Sequence, residues 1–305
     1  MLKRIFINIL LIIFALSAVE AFCFYKTKTE NERFKEKADR LEANNTRKHT
    51  TKYRLLVPFN TVVYRNSFIK ENSDKKPILW FGCSFAEGAG LEDEQTPCYK
   101  ISELTGRSCI NKAKGATGTQ FMLYQLQDGN FINDVPQAEY IIYVFIYNHI
   151  QRLYNCQINP LVDMFNLRYK NSNGKLKNIT PEFNPLYSSF FVKRLLNKKV
   201  FKQAKKEGMD FELFNAVMKE SVDITKNNYP NSKFLLLEFP DLSRNELPEY
   251  EIKKLEEYGI TVVKVTDLIQ NEDIYEEKYW LPDNIHPTEQ AWNLILPELK
   301  EKYLK

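Results

Sequence analysis

Five short apolar runs, separated by longer stretches of mixed polarity, organise the chain from residue 77 onward. They occupy residues 78–81, 140–146, 233–239 and 260–265, and a brief, only partly apolar run at 108–111 lies between the first two. A bounded apolar run of this kind is typical of a strand that is buried on both faces of a parallel sheet. The stretches between the runs predict helices, so the chain should alternate strand with helix.

Capping chemistry marks where several helices begin and end. Thr96 can cap a helix that has Pro97 at its first position and Gly106 just beyond its end. A final helix is predicted from Pro287, although Pro297 should kink or shorten it. Other helices are predicted at about 119–128, 188–206 and 211–228, and a hairpin around the Asn-Gly pair at 173–174.

The alternation predicts an α/β fold in which a doubly wound parallel sheet of five strands carries helices on both faces. The pattern loosens between about residues 152 and 230, which we interpret as an insertion into a single domain. The predicted organisation is an N-terminal segment at 1–25, a charged stalk at 26–54 and a folded domain at 55–305.

The first 25 residues have the pattern of an export segment. Lys3 and Arg4 precede an apolar stretch from residue 5 to residue 19, and residues 19–21 offer a small-residue cleavage site. Apolar residues resume at 22–25, which extends the span to the roughly 20 residues that a membrane helix needs. We interpret the segment as an uncleaved anchor; a cleaved signal peptide and a buried core helix are the alternatives. The anchor and the signal peptide both put the folded domain outside the cytoplasm, because the short basic end stays inside.

Positive charge is concentrated outside the predicted domain. The chain of 305 residues has a net charge of +4, yet residues 26–54 alone contain ten Lys or Arg against five Asp or Glu. The part from residue 55 onward is therefore slightly acidic, and nothing in it favours nucleic acid as a partner. The sequence leaves the oligomeric state open.

The five cysteines do not form a metal-binding pattern. They are Cys23, Cys83, Cys98, Cys109 and Cys156. Because no CxxC or similar spacing occurs, the sequence predicts no zinc site and no other cofactor. In an oxidising compartment the last four could form disulfides of open connectivity, and buried free thiols are equally compatible with the spacing.

A serine follows the first apolar run at a sharp turn. Ser84 lies two residues after Gly82, at the end of the strand where open α/β sheets bind ligands. A serine needs a base to act as a nucleophile. The chain has three histidines, His49, His149 and His286. Of these, His286 follows Asp283 by three residues in a polar loop, a spacing that lets the carboxylate orient the imidazole. Helix capping around a proline is the alternative role of this pair, and His49 is interpreted as a solvated stalk residue.

Three candidate donors for an oxyanion follow consecutive strands. They are the backbone N–H of Ser84, the backbone N–H of Gly115 and the side-chain amide of Asn148. Taken singly, Gly115 would be a turn residue and Asn148 a helix cap. Since parallel strands end at one edge of a sheet, we expect the three to lie together. The neighbouring His149 is interpreted as a structural residue and not as a second base.

Taken in order, these residues resemble the sequence blocks of the SGNH/GDSL hydrolases. The blocks are Gly82-Cys83-Ser84-Phe85 with Gly88, then Gly115, then Asn148, then Asp283 and His286. The resemblance covers residues 77–295 and implies a three-layer α/β/α sandwich with a five-stranded parallel sheet. It also implies that Ser84 is the nucleophile, His286 the general base and Asp283 its partner. The oxyanion hole would consist of Ser84, Gly115 and Asn148.

The chain departs from the family pattern in two of these blocks. Cys83 stands where the family has the aspartate of Gly-Asp-Ser, and residues 146–149 lack the glycine and the final aspartate of Gly-x-Asn-Asp. These changes affect loop geometry and the width of the pocket, which Tyr147 should narrow. The α/β-hydrolase scaffold is a weaker alternative, because its G-x-S-x-G elbow needs glycine where this chain has Ala86.

The resemblance implies a serine esterase that hydrolyses ester-linked acyl groups through an acyl-enzyme. By analogy with divergent, membrane-tethered members, it further implies O-acetyl or other acyl groups on a cell-envelope glycan as the substrate. Two alternatives stay open at this point. One is an O-acyltransferase that passes the acyl group to a sugar hydroxyl, and the other is a glycan-binding or scaffold protein without turnover.

Overall fold

A five-stranded parallel sheet forms the centre of the computed structural model. The structure describes residues 17–19, 21–22, 67–70, 73–154, 169–172, 175–178, 210–240, 244–270 and 272–305. The strands are β1 (Ile78–Gly82), β2 (Cys109–Asn111), β3 (Tyr140–Phe145), β4 (Tyr169–Ser172), β5 (Lys175–Asn178), β6 (Lys233–Glu238) and β7 (Ile260–Lys264). The sheet has the order β2-β1-β3-β6-β7, and all of its neighbouring strands are parallel. The five predicted core strands are therefore confirmed, and one end of each differs by a single residue.

Helices cover both faces of this sheet. They are α1 (Ser84–Glu87), α2 (Pro97–Thr105), α3 (Thr119–Leu126), α4 (Gly129–Asp134), α5 (Asn148–Tyr154), α6 (Asp210–Asn228), α7 (Glu249–Glu257), α8 (Val265–Leu268) and α9 (Glu289–Tyr303). Short 3-10 turns occur at Asp93–Gln95 and Glu277–Tyr279. The sheet and its two helical layers form the predicted three-layer sandwich.

Alternate residues of each central strand point into separate cores. In β1, Trp80 packs in one cluster together with Trp292 of α9. Its neighbour Phe81 packs in the other cluster, which includes Met122 of α3 and Phe214 of α6. Side chains of a strand alternate between faces, so a strand that is apolar at every position must be covered on both sides. This explains why the apolar runs predicted strands of a buried parallel sheet.

Two predicted helix boundaries can be compared with the structure. The Thr96 hydroxyl accepts a hydrogen bond from the N–H of Tyr99, and α2 ends at Gly106 in the left-handed conformation (φ 66°), as the sequence predicts. The final helix differs: it begins after a Thr288 cap and continues through Pro297 to Tyr303. Proline removes one intrahelical hydrogen bond. The fully buried apolar side of α9, including Ile295 and Leu299, packs on the core and holds the helix together across that position.

Cys98 of α2 and Cys109 of β2 form a disulfide with a Cα–Cα distance of 5.7 Å. Cys83 is a buried free thiol, while Cys23 and Cys156 lie outside the described residues. The structure thus selects one pair from a connectivity that the sequence left open.

Several predictions fall wholly or partly outside the described residues. They concern the stalk, most of the N-terminal segment, the helix at 188–206 and the turn at 173–174. The two strands flanking that turn do pair antiparallel, as expected for a hairpin. None of the helices in the described part of the chain is both long and apolar enough to cross a membrane.

Candidate active site

Ser84 begins a short helix directly after the central strand β1. Gly82 ends that strand with φ +147°, and a Cβ there would lie 2.6 Å from the Cβ of Ala86 and 2.8 Å from the carbonyl oxygen of Val144. Only glycine fits this turn, since an added methyl group would meet both α1 and β3. The indole N–H of Trp80 also donates to the Ala86 carbonyl at 3.0 Å, which fastens α1 to the strand. The turn therefore holds Ser84 at the carboxyl end of β1.

Three side chains that the sequence singled out form a hydrogen-bonded chain. His286 Nε2 lies 2.9 Å from Ser84 Oγ, and His286 Nδ1 lies 2.6 Å from Asp283 Oδ2. The His286 and Asp283 side chains are 21% and 31% exposed, so water reaches this group. Across 202 positions of sequence, the fold brings the histidine and the serine into the relation that proton transfer needs.

The loop that carries Asp283 and His286 is closed by its own hydrogen bonds. The N–H of Leu281 donates to the carbonyl of His286 at 2.7 Å, and Trp280 and Pro287 form an isolated β-bridge. Asn284 adopts φ 55°, a left-handed conformation that asparagine tolerates better than most residues. The His286 ring also packs edge-on against Phe85 at 5.9 Å between centroids. The imidazole is thus oriented by packing as well as by the carboxylate.

Asp283 both caps its turn and binds the imidazole. Its Oδ1 accepts from the N–H groups of Ile285 and His286 at 2.8 and 3.0 Å, while Oδ2 faces His286 Nδ1. Burial by itself raises the pKa of the Asp283 carboxyl, but these hydrogen bonds and the charge of His286 outweigh it and lower that pKa. Asp283 therefore remains a carboxylate at neutral pH and can hold one imidazole tautomer.

Of the other two predicted oxyanion donors, the structure places only Gly115 beside Ser84. A methyl group added to Gly115 would lie 3.7 Å from Ser84 Cβ, so Gly115 is next to the serine. Its N–H, however, already donates to Glu87 Oε2 at 2.7 Å. Asn148 is the first residue of α5 and is half-buried. The structure brings Gly115 to Ser84, and it shows no contact that ties Asn148 to them.

Sequence reasoning missed Glu87 as part of this site. Glu87 lies three residues after Ser84 on α1, and residues at this spacing share one side of a helix. Its second partner, Lys114, directly precedes Gly115 and binds Glu87 Oε1 at 2.8 Å. The three-residue spacing between Ser84 and Glu87 is visible in the sequence, but the contact between Glu87 and the Gly115 loop is not.

Cys83, which replaces the family's aspartate, and Tyr147, which the sequence predicts to narrow the pocket, both lie in packed environments. Cys83 is fully buried in the core beneath the helix α9. The ring of Tyr147 packs edge-on against Phe211 of α6, with centroids 6.4 Å apart. A narrowing of the pocket by Tyr147 stays a prediction. Among the described residues, no group of three His, Cys, Asp or Glu side chains could hold a metal ion.

The order of the strands in the sheet defines the fold class. The five sheet strands, counted along the chain, follow the order 2-1-3-4-5 of flavodoxin-like folds, in which ligands bind at the carboxyl ends of the strands. The fold is therefore an α/β sandwich of the SGNH-hydrolase or flavodoxin-like type, as predicted. The chain with this fold also carries the ordered motifs that resemble those of the SGNH/GDSL hydrolases.

Comparison with solved structures finds proteins whose names describe them as lipolytic proteins or esterases. A lipolytic-protein candidate of the G-D-S-L family from Desulfitobacterium hafniense DCB-2 is 12% identical, with a TM-score of 0.46 over 74% of this chain and 99% of its own. The esterase EstA from Pseudoalteromonas sp. is 10% identical, with a TM-score of 0.42 over 74% and 96%. A member of the lipolytic G-D-S-L family from Veillonella parvula DSM 2008 is 11% identical, with a TM-score of 0.42 over 75% and 98%. No family model matches the sequence, and no curated protein matches it. At these identities and TM-scores the matches do not support the fold assignment further; that assignment rests on the order of the strands.

Proposed function

We propose that the protein is a serine esterase that removes ester-linked acyl groups. The observation that carries this proposal is the hydrogen-bonded chain from Asp283 through His286 to Ser84 at the carboxyl end of β1. In this arrangement the histidine can take the serine proton while the carboxylate stabilises the resulting imidazolium. A serine without such partners would be a poor nucleophile.

The reaction would proceed in two steps. Ser84 Oγ attacks the ester carbonyl carbon and passes its proton to His286 Nε2, which then gives that proton to the departing alcohol as the ester C–O bond breaks. Water next attacks the acyl-enzyme, again losing a proton to His286, and the serine leaves with that proton as the acid is released. Both steps pass through an oxyanion, for which the backbone N–H groups of Ser84 and Gly115 and the amide of Asn148 are the proposed donors.

The proposed substrate is an acyl ester, such as an O-acetyl group, on a cell-envelope glycan outside the cytoplasm. The support is the export-type N-terminal segment and the analogy with divergent, membrane-tethered members of the family that the motifs resemble. The Cys98–Cys109 disulfide also suits an oxidising compartment. Retention in the membrane fraction after a high-salt wash would support the anchor, and release into the soluble fraction would contradict it.

A fluorophosphonate probe tests the proposed esterase directly. Such a probe phosphonylates a serine that has an activating base, with loss of fluoride, so the full-length protein should become labelled at Ser84. The Ser84→Ala variant should take up no label while keeping the circular dichroism of the parent. A parent protein that is folded and yet unlabelled would refute the esterase and leave the non-catalytic alternative.

A further inference from the structure

A carboxylate occupies the backbone donor next to the proposed nucleophile. Glu87 Oε2 accepts the Gly115 N–H at 2.7 Å, and Glu87 Oε1 accepts from Lys114 Nζ at 2.8 Å. The Glu87 and Lys114 side chains are only 17% and 18% exposed. Hydrogen bonds to an ionised acceptor are the stronger class, and partial burial weakens the competition from water. The contact is therefore a firm feature of the resting protein.

The same carboxylate lies on the serine side of Gly115. A methyl group added to Gly115 would stand 2.9 Å from Glu87 Oε2 and 3.7 Å from Ser84 Cβ, so both groups flank one face of the glycine. Glu87 is three residues from Ser84 on α1, which directs both side chains to one side of that helix. An oxygen bound to the Gly115 N–H in the resting state is thus next to the attacking residue.

This occupation conflicts with the esterase reaction unless Glu87 moves. The oxyanion of a tetrahedral intermediate needs donors that are free and aimed at it, and a nearby negative charge raises its energy. The Gly115 N–H already donates to Glu87 and is therefore not free, and the carboxylate places a negative charge beside the oxyanion. An ester carbonyl can use this donor only after it has displaced Glu87 Oε2.

We propose that Glu87 is a gate on the oxyanion site, which holds the resting enzyme closed and opens when the acyl group of the substrate displaces it. The inference rests on the proposed esterase function. The ion pair makes the movement feasible, because Lys114 binds the other carboxylate oxygen and can keep it after Gly115 is released. Glu87 is then a specificity-determining residue: it admits esters whose carbonyl competes with a carboxylate for the Gly115 donor.

The gate can be tested by the rate at which a fluorophosphonate labels Ser84 in the full-length protein, because the phosphoryl oxygen of the probe needs the same donors. Glu87→Ala should label roughly tenfold faster or more, the scale set by a lost charge-assisted hydrogen bond. Glu87→Gln removes the charge but keeps an acceptor, so its rate should lie between those of Glu87→Ala and the parent. Glu94→Ala removes an exposed carboxylate from the 3-10 turn that follows, and should label at the parental rate.

Sodium acetate supplies a second readout that a merely structural role of Glu87 would not change. In Glu87→Ala a small carboxylate can occupy the vacated position between Gly115 and Lys114, so acetate should slow labelling relative to sodium chloride of equal ionic strength. The parent, whose position is filled, should show no such difference.

Two outcomes would overturn the gate. One is slower or unchanged labelling in both Glu87 variants, which would make Glu87 a brace for the Gly115 loop. The other is acetate inhibition that is equal in the parent and in Glu87→Ala. A failure of the esterase proposal is distinct from these, because then a folded parent, Glu87→Ala and Glu94→Ala would all remain unlabelled. If Glu87→Ala does not fold, Glu87→Gln decides the first point by its rate alone.

Discussion

The two histidines His286 and His149 differ in their hydrogen-bond partners and in their exposure to solvent. His286 reaches Ser84 from the loop before α9, and each of its ring nitrogens has a partner suited to proton transfer. One partner is the carboxylate of Asp283 and the other is the serine hydroxyl. Its side chain is 21% exposed, so water and substrate can approach it.

His149 lies in α5 just after β3 and is fully buried. Its Nδ1 lies 2.7 Å from the hydroxyl of Tyr143, and the described residues give its Nε2 no hydrogen-bond partner. Burial, with a smaller contribution from the charge of Arg152, holds the pKa of His149 well below its ordinary value. This imidazole remains neutral at physiological pH.

The contrast shows what the environment adds to a residue type. A carboxylate on one nitrogen and a hydroxyl on the other let an imidazole accept a proton from the serine and keep it briefly. A buried imidazole without a carboxylate has no compensation for a charge and serves in packing. The sequence interpretation of His149 as a structural neighbour agrees with these contacts.

Removal of His286 should give the largest functional effect. Without a base the serine is not activated, so His286→Ala should lower kcat/KM for an ester substrate by on the order of 10⁴-fold or more. His149→Gln, which keeps a neutral hydrogen-bonding side chain, should stay within about tenfold of the parent per folded molecule. Steady-state hydrolysis of a short-chain aryl ester, normalised to folded protein, measures both. Comparable losses in the two variants would remove the functional distinction between the histidines.

Asp283→Asn should give the next largest effect. Asparagine retains an oxygen that can accept from the N–H groups of Ile285 and His286, so the turn should survive. The amide cannot stabilise the imidazolium and favours the wrong tautomer, and a loss in kcat of roughly 10²- to 10⁴-fold follows. The assay is the same ester hydrolysis, accompanied by the thermal midpoint of unfolding. A variant with parental kcat would show that Asp283 serves only as a cap.

Much of the fold could be predicted because its signals are local. Most core strands are runs of apolar residues, and the turn after β1 is marked by Gly82, two residues before Ser84. Asp283 and His286 were recognisable as a pair because they are three positions apart in one loop. In each case the physical cause lies within a few positions of the residue that it affects.

What could not be predicted depends on contacts between distant segments. The ion pair of Glu87 with Lys114 spans 27 positions and exists only because the fold brings α1 against the Gly115 loop. The Cys98–Cys109 pairing was one of several that the spacing allowed. The shortening of the last helix that was expected at Pro297 does not occur, for a related reason: helix propensity disfavours proline there, and tertiary packing of α9 overrides it.

The smallest expected effect is a change with pH in the free energy of unfolding of the parent, measured relative to His149→Gln. An unfolded histidine binds a proton below about pH 6.5, whereas the buried His149 does so only at much lower pH. The unfolded state then holds more protons, so the contribution of His149 to stability falls as pH decreases below about 6.5 and is constant above it. The free energy of unfolding of the parent should drop relative to His149→Gln by up to about 1.4 kcal/mol per pH unit.

Urea denaturation of both proteins between about pH 5 and about pH 7.5 measures this difference. The comparison is needed because Glu238 titrates in the same range with the opposite sign. Burial raises the pKa of Glu238 to about 7, so its contribution to stability is lost as pH rises from about 4.5 towards 7. That contribution is common to the parent and the variant and cancels. A difference in unfolding free energy that stays constant across the range would show that the folded protein protonates His149 as readily as the unfolded chain, and the contrast between the two histidines would then be wrong.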